Sequence, residues 1–559
     1  MMRLFGVLWL TLAAFFPVSG AVAQALFAPG VGPELQAAAN FGQTWNQLVF
    51  DAARAEGITA LRDEIHWDFA ESDGEYGFDH IILHYPELMD AADMRLTLIA
   101  AGSHPDHDAH ATPYTPDAVA AFAAFFAEAA RRFPAVVAVE VGNEMNSESF
   151  TAGPARDADI TGRAGYYAAL LKATHDAVRA ARPDARVIGG AAHSIPLAWF
   201  EALSADRAGA FMDSVALHPY TTPPEQFRRQ VALLRGVSGF ETLPIEVTEI
   251  GTVDAGEAPA LLMKTYCQTA LAGAVNVTWY PLSPRGDGFI PLLEDDGTVT
   301  AVGRTWQMIQ SELQGLPVRD AAPDPFTYAC EFGDRALVIW GAARELTLDD
   351  PALVVRDLAG RPVDAPRLSR DAPLVVFSDG PGPRLGVNLH LGPQRVVADS
   401  FDQFAYPGES AGGFARFARV DGQSVPFVLG PGQQTGGVPW TPYLTTERDG
   451  SLRMDADFLM PSMWDGEPAE IVHAFTAPDA MALVVEAEVS PPAQSSDGVT
   501  ISFRRNASLR AETIVTDGAG MTPARVDLAP GDVLEIVVGP GDVPRGGSSR
   551  YRFTLRRVE

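Results

Sequence analysis

Val141-Gly142-Asn143-Glu144 and Pro244-Ile245-Glu246-Val247-Thr248-Glu249-Ile250-Gly251 decide the reading of this chain. Each carries a glutamate at the end of an apolar, strand-like run. About a hundred residues separate Glu144 from Glu249, so only folding brings them together. Working outward, the same texture repeats. Short runs rich in Val, Ile and Ala lie at 26–32, 60–67, 95–102, 136–145, 185–193, 212–220, 243–251 and 275–282. Amphipathic stretches lie between or after them, at 116–133, 162–181, 224–236, 257–272 and 301–313. Eight strands alternating with helices predict an α/β fold, a (β/α)8 TIM barrel, over 26–318. A doubly wound sheet is the competing arrangement, but no Gly-x-Gly-x-x-Gly follows the first run.

After Leu316 the texture changes to short β-patterned runs with turns. Residues 319–380 read as a small β-sandwich, 381–396 as a Gly- and Pro-rich linker, and 397–559 as a larger C-terminal β-sandwich. A chain of 559 residues has room for several such units. A formal net charge of -30 argues against binding nucleic acid or an anionic membrane through a basic patch. Residues 1–25 have the three parts of a secretory signal peptide: Arg3, an apolar run from Leu4 to Phe16, and small-residue cleavage sites at Ala21-Val-Ala23 and Ala23-Gln-Ala25. We therefore expect an exported protein, periplasmic or extracellular. No cysteine follows the apolar run, so no lipid anchor is expected, and no later segment reads as transmembrane. The two cysteines, Cys267 and Cys330, read as buried thiols, although an exported protein permits a disulfide.

In a barrel of this kind, side chains at the C-terminal ends of the strands do the chemistry. Glu144 and Glu249 both occupy such ends. Glu246 and Glu249 are three apart and face opposite sides of the strand, and Glu249 is last, at the mouth. Glu246 is then a structural or ion-paired residue. Glu140 shares a face with Glu144 but lies four residues deeper. Two carboxyls across a cleft are what glycosidic bond cleavage requires, one as a proton donor and one as an ionised nucleophile. Arg62 is a candidate cation beside the nucleophile, or an ordinary ion pair at a strand end. Tyr220 is placed to donate to the nucleophile, and Asn143 to hold a sugar hydroxyl. Trp67 and Trp279 offer flat faces for sugar rings, and a buried tryptophan would read the same way.

Asn143-Glu144 after the fourth run, Thr248-Glu249-Ile-Gly after the seventh, His218-x-Tyr220 after the sixth and Trp279 after the eighth resemble clan A glycoside hydrolases. Gly57-Ile-x-x-Leu-Arg62-x-x-Ile-x-Trp67 and Leu292-Leu-Glu-Asp-Asp-Gly297 are similar to families 39 and 5. The resemblance covers about 30–318, with a family-39-like sandwich continuing to about 380. It implies Glu144 as acid/base, Glu249 as nucleophile, retention of anomeric configuration, and no metal or cofactor. The substrate expected is a polysaccharide or oligosaccharide, such as a bacterial exopolysaccharide or another β-glycan. A carbohydrate-binding or assembly protein on the same barrel, and a transglycosylase, are the alternatives.

His104-Pro-Asp-His107-Asp-Ala-His110 contains metal-ligand residue types but no zinc spacing, so His104 is a sugar-contact candidate and the remainder a polar loop. Gly286-Asp287-Gly288 is a turn, with or without a place in the cleft. In the last domain Trp440, Tyr443 and Trp464 form a sugar-stacking platform or belong to a sandwich core.

Overall fold

The computed structural model describes residues 30–409, 412–433, 438–492, 497–516, 521–541 and 547–558. The signal peptide expected at 1–25 lies outside the described residues, as does most of the first predicted run. Eight parallel strands close into a barrel: β1 (Glu34–Ala38), β2 (Ala60–Glu64), β3 (Arg95–Ala100), β4 (Val136–Val141), β5 (Arg186–His193), β6 (Ser214–His218), β7 (Ile245–Ile250) and β8 (Ala274–Trp279). Ala37 pairs with Trp279 and Ala38 with Arg62, which closes the ring through β1.

A helix follows each strand: α1 (Gln47–Ala55), α2 (Ile81–Asp90), α3 (Pro116–Arg132), α4 (Ile160–Ala181), α5 (Leu197–Ala205), α6 (Phe227–Leu234), α7 (Ala258–Leu271) and α8 (Ala301–Glu312). Thr115, Asp159 and Thr300 cap α3, α4 and α8 by accepting from backbone N–H groups of the first turn. No helix among the described residues is long and apolar enough to cross a membrane.

The first strand is Glu34–Ala38, not the 26–32 run. Its sequence, Glu-Leu-Gln-Ala-Ala, lacks a β-branched run because Gln36 is buried and accepts a hydrogen bond from Thr97 at 3.3 Å. A barrel centre that pairs its polar side chains hides the strand from hydropathy.

Next come five antiparallel strands: β9 (Val318–Asp320), β10 (Thr327–Phe332), β11 (Ala336–Gly341), β13 (Leu353–Arg356) and β14 (Leu374–Ser378), arranged β9-β10-β11-β14-β13. Alternate residues serve two cores. Cys330, Phe332, Val338, Trp340, Val375 and Phe377 join the barrel's core. Ala329, Leu337, Ile339, Leu374 and Val376 face the other way, into a separate small core. The 381–396 stretch contains strand β15 (Leu389–Leu391), which pairs with β12 (Leu346–Leu348). The apolar Leu-His-Leu there is claimed by that second core, where Leu389 is fully buried.

Cys267 on α7 and Cys330 on β10 form a disulfide with Cα atoms 5.9 Å apart. This corrects the reading of two buried thiols. Both side chains are buried as expected, but the sheet packs against α7 and brings them together.

The remaining chain forms an eight-stranded and a seven-stranded antiparallel sheet around one apolar core. Met481–Ser490 shows the alternating burial of a strand with one face on such a core. This sandwich contacts the barrel directly. Gln226 donates to the Phe401 carbonyl at 2.9 Å, and Arg229 donates to the Asp402 carbonyl at 3.1 Å.

Candidate active site

The ends of β2, β4, β5, β6 and β7 converge on one group of charges. Arg62, from β2, is only 1% exposed. Its Nε donates to Glu140 Oε2 at 2.6 Å, and its Nη1 to Glu249 Oε1 at 2.5 Å. Its Nη2 donates to Glu140 Oε1 and to Asn143 Oδ1, both at 3.0 Å. One guanidinium therefore orients two carboxylates and an amide through its planar fork, which a lysine could not do. The Tyr220 hydroxyl donates to Glu249 Oε2 at 2.9 Å, so both oxygens of Glu249 are held.

Glu144 is reached by a turn rather than by the strand itself. Gly142 has φ 85°, and a Cβ there would meet Met145. Glu144 has φ 45°, an uncommon conformation for a residue with a side chain. The neighbouring strand β5 is irregular between Gly189 and Ala192, where Ala191 has φ 39°. Met145 N–H donates to the Ala191 carbonyl at 2.9 Å and ties the two irregularities together. The result aims His193 at Glu144: His193 Nδ1 lies 2.9 Å from Glu144 Oε1. His218 Nδ1 lies 3.1 Å from the same oxygen. No hydrogen bond from the described residues reaches Glu144 Oε2.

His218 is the centre of the group. It is fully buried, with Nδ1 3.6 Å from Glu249 Oε2 and Nε2 3.0 Å from Thr248 Oγ1. One oxygen of Glu144, a nitrogen of His218 and one oxygen of Glu249 lie within 4.8 Å of one another. Three such donors suit a cation in number, but Arg62 and Tyr220 already hold the two Glu249 oxygens, and the surrounding carboxylates favour a protonated His218.

That protonation follows from the surroundings. Burial opposes a charged His218, yet Glu249, Glu140 and Glu144 together push it up to about 9. Burial likewise opposes ionisation of Glu140, but the Arg62 guanidinium and His218 pull it down to about 2. Burial also works against a charged Glu144, and the His193 and His218 hydrogen bonds bring it down to about 2.

These shifts set a stability window. The two carboxyls contribute stability present above their ordinary 4.5 and lost as pH falls toward about 2. His218 contributes stability complete below its ordinary 6.5 and lost as pH rises through about 9. The melting temperature, followed by circular dichroism, is expected to peak between these limits. Replacing His218 with glutamine should remove the decline from 6.5 to 9; an unchanged alkaline decline would exclude this group as its source.

A cleft of about 470 Å³ opens beside the group, lined in part by Arg62, Asn143, Glu249, Tyr280 and Arg285. A row of aromatic rings connects Trp440, in the wall of a second cavity, with Tyr280 in this cleft's wall. Trp440, His193, Tyr220, Phe289 and Tyr280 follow one another at centroid spacings of 5.2, 6.0, 5.6 and 5.3 Å. Asp287, in the Gly286–Gly288 turn, accepts from the Tyr280 hydroxyl at 2.6 Å and from Phe289 N–H at 3.1 Å, so that turn sets the far end of the row.

Of the residues singled out from sequence, Glu144, Glu249, Arg62, Asn143, His218 and Tyr220 come together here. Trp67, His104 and Trp279 do not reach the cleft surface. Trp67 is 1% exposed, packed on His104, His107, Phe122 and Phe125, with its Nε1 donating to Glu71 at 2.5 Å. His104 is buried, with Nε2 3.3 Å from the Glu71 carbonyl. Trp279 is fully buried and donates to the Ile290 carbonyl at 2.9 Å. Large aromatic faces are worth most in the core, and each of these found a polar partner there. Tyr443 is buried and Trp464 is half-exposed on a hairpin, so of the three C-terminal aromatics Trp440 is the one at the barrel mouth.

Glu246 is fully buried and paired with Arg186 at 2.9 Å and Ser214 at 2.6 Å, the ion-paired residue expected of it. Asp63 accepts from the N–H groups of Phe41 and Gly42 and pins the loop after β1. His193 was missed. Its signal was available: it is a histidine ending the fifth run.

No protein-family model matches the chain, and no curated protein matches it. Solved structures do. A family 39 glycoside hydrolase from the gut symbiont Bacteroides cellulosilyticus WH2 aligns with 63% of this chain and 82% of its own, at 17% identity and a TM-score of 0.51. A family 39 β-xylosidase from Caulobacter crescentus covers 63% of this chain and 97% of its own, at 17% identity and TM-score 0.46. A glucosidase from Croceicoccus marinus covers 93% and 98%, at 11% identity and TM-score 0.43. The chain thus has a glycoside hydrolase-like fold and resembles family 39 in its barrel.

Proposed function

We propose that this protein is a retaining glycoside hydrolase acting on a β-linked polysaccharide, with Glu249 as nucleophile and Glu144 as acid/base. The observation that carries the reading is the closeness of the two carboxyls, one oxygen of Glu144 lying within 4.8 Å of one oxygen of Glu249. Retaining enzymes place their carboxyls about 5–5.5 Å apart, whereas inverting ones leave room for a water between them.

The charges around the pair suit a double displacement. Glu249 attacks the anomeric carbon while Arg62 and Tyr220 hold it in place. The bond between that carbon and the leaving oxygen breaks as the glycosyl–Glu249 ester forms. In the resting site the proton needed by the leaving oxygen is on His218, hydrogen-bonded to Glu144. Glu249 is the foremost charge that raises His218. As Glu249 becomes an ester its charge is lost, His218 Nδ1 passes its proton to Glu144 Oε1, and Glu144 hands that same proton to the departing sugar. Glu144 then takes a proton from the incoming water, which cleaves the ester. Asn143 is placed to hold a hydroxyl beside the anomeric centre.

An exported location fits both the 1–25 leader and the Cys267–Cys330 disulfide, which persists in oxidising compartments. A bacterial exopolysaccharide is the leading substrate class, with plant β-glycans such as xylan or mannan next.

The test is digestion of a glycan panel, with the anomer of the first product read by proton NMR. We expect the β-anomer to appear first and mutarotate later. First appearance of the α-anomer would replace retention with inversion. A protein that binds a glycan without cutting it would support the carbohydrate-binding alternative.

A further inference from the structure

A second cavity, of about 420 Å³, is separate from the main cleft and shares none of the residues that line it. His193 belongs to its wall, and His193 is also the group that binds Glu144 Oε1. Its barrel side is made by Ser194 and Thr221, hydrogen-bonded to each other at 2.7 Å. Its outer side comes from the C-terminal sandwich: Trp440, Asp455 and Arg550. The Trp440 ring meets His193 edge to face at 5.2 Å and is only partly buried.

The sandwich is held in register with the catalytic loop. Asn146, two residues beyond Glu144, and Gln433 are both buried. Asn146 Nδ2 donates to Gln433 Oε1 at 2.9 Å, and Gln433 Nε2 donates to the Asn146 carbonyl at 2.8 Å. Asn146 Oδ1 accepts from His193 N–H at 2.9 Å. One amide therefore bonds both the histidine that touches Glu144 and Gln433 of the sandwich. Buried amides are stable only when paired in this way, so the arrangement specifies one docked geometry.

We propose that the C-terminal sandwich completes the leaving-group subsite, with Trp440 as the face on which the departing sugar stacks. The inference rests on the hydrolase reading above. Glu249 and Asn143 line the main cleft, which then takes the sugar that becomes attached. The leaving oxygen must meet Glu144, and the ring attached to that oxygen extends to the His193 side. A flat, half-exposed indole with Asp455 and Arg550 beside it matches an uncharged pyranose, apolar on its face and hydroxylated at its edge. The ligand class is a β-linked oligosaccharide with at least one sugar on the leaving side.

The test compares two leaving groups. Wild type, Trp440→Ala and Trp440→Phe are assayed on xylotetraose, cellotetraose and mannotetraose and on the corresponding β-glycosyl fluorides, whose leaving group is too small to reach Trp440. For the series that wild type cleaves, the ratio of kcat/KM on the tetraose to that on the fluoride is expected to fall about tenfold in Trp440→Ala, the scale of one aromatic anchor. Trp440→Phe should restore most of the ratio. Trp440→Leu, which keeps packing against His193 without a flat face, gives the same reading if the alanine variant loses its thermal transition. An unchanged ratio overturns the subsite while leaving the hydrolase reading intact, provided Glu249→Gln is inactive on both substrates. Full activity of Glu249→Gln overturns the hydrolase reading and this inference with it, and a wild type that cleaves the fluorides but none of the three tetraoses overturns the leaving-side subsite alone.

Discussion

Glu249→Gln is expected to lower glycoside turnover by roughly 10⁵-fold, the scale seen when a covalent nucleophile is removed, and to leave the fold as stable as before or more so. The first half follows from chemistry: an amide cannot form the glycosyl ester. The second half follows from charge. The buried group contains two cations, Arg62 and His218, and three carboxylates, Glu140, Glu144 and Glu249. Loss of Glu249's charge removes the excess negative charge. Arg62 keeps its two-point pairing with Glu140 at 2.6 and 3.0 Å. Tyr220 keeps an oxygen to bond. Active sites commonly trade stability for function in this way. Turnover and urea unfolding measured on the same preparation check both halves. Inactivity accompanied by a loss of several kcal/mol would reassign Glu249 to a structural role.

Arg62→Met has the opposite profile on stability. Arg62 and Glu140 are 1% and 0% exposed, and the variant leaves Glu140 buried without its main counter-charge. Breaking such a pair costs about 3–5 kcal/mol. His218, 3.6 Å from Glu140, and Thr248, 3.1 Å away, compensate only in part. Adding Glu140→Gln to Arg62→Met removes the stranded charge and should recover a substantial part of the loss. The double-mutant cycle by urea denaturation is the measurement. Activity should not recover with stability, because Glu249 still lacks the guanidinium that orients it. Parallel recovery of both would mean that Arg62 only supports the fold.

Much of this was legible in the chain because parallel barrel strands are buried on both faces and read as apolar runs. Strands β2 to β8 were found within a few residues. Strand β1 was not, since Glu34 and Gln36 interrupt it. Helices α1, α2 and α5 went unmarked, while the longer α3, α4 and α7 stood out. Alternation separated Glu249 from Glu246, and strand depth separated Glu144 from Glu140. Residue type could not say whether a tryptophan is a sugar face or core. Trp67 and Trp279 were taken inside, and Trp440, left open between a platform and a core place in the last domain, meets His193 of the barrel. That placement depends on docking between segments almost three hundred residues apart, as the Asn146–Gln433 pair shows. Such long-range docking leaves no local trace in sequence.

The two-faced sheet that follows the barrel has a consequence for how this molecule can be inherited. Phe332, Val338, Trp340, Val375 and Phe377 complete the barrel's own interior. Gene breakage after residue 318 would strip that interior open, so the smallest heritable unit with a closed barrel core runs past residue 318 through the sheet that covers it. The last sandwich has a separate interior and is the part recombination can exchange. An exchange that kept a partner for the buried Asn146 amide would change what borders His193 while leaving the barrel's interior whole, so new specificities could arise by swapping a neighbour.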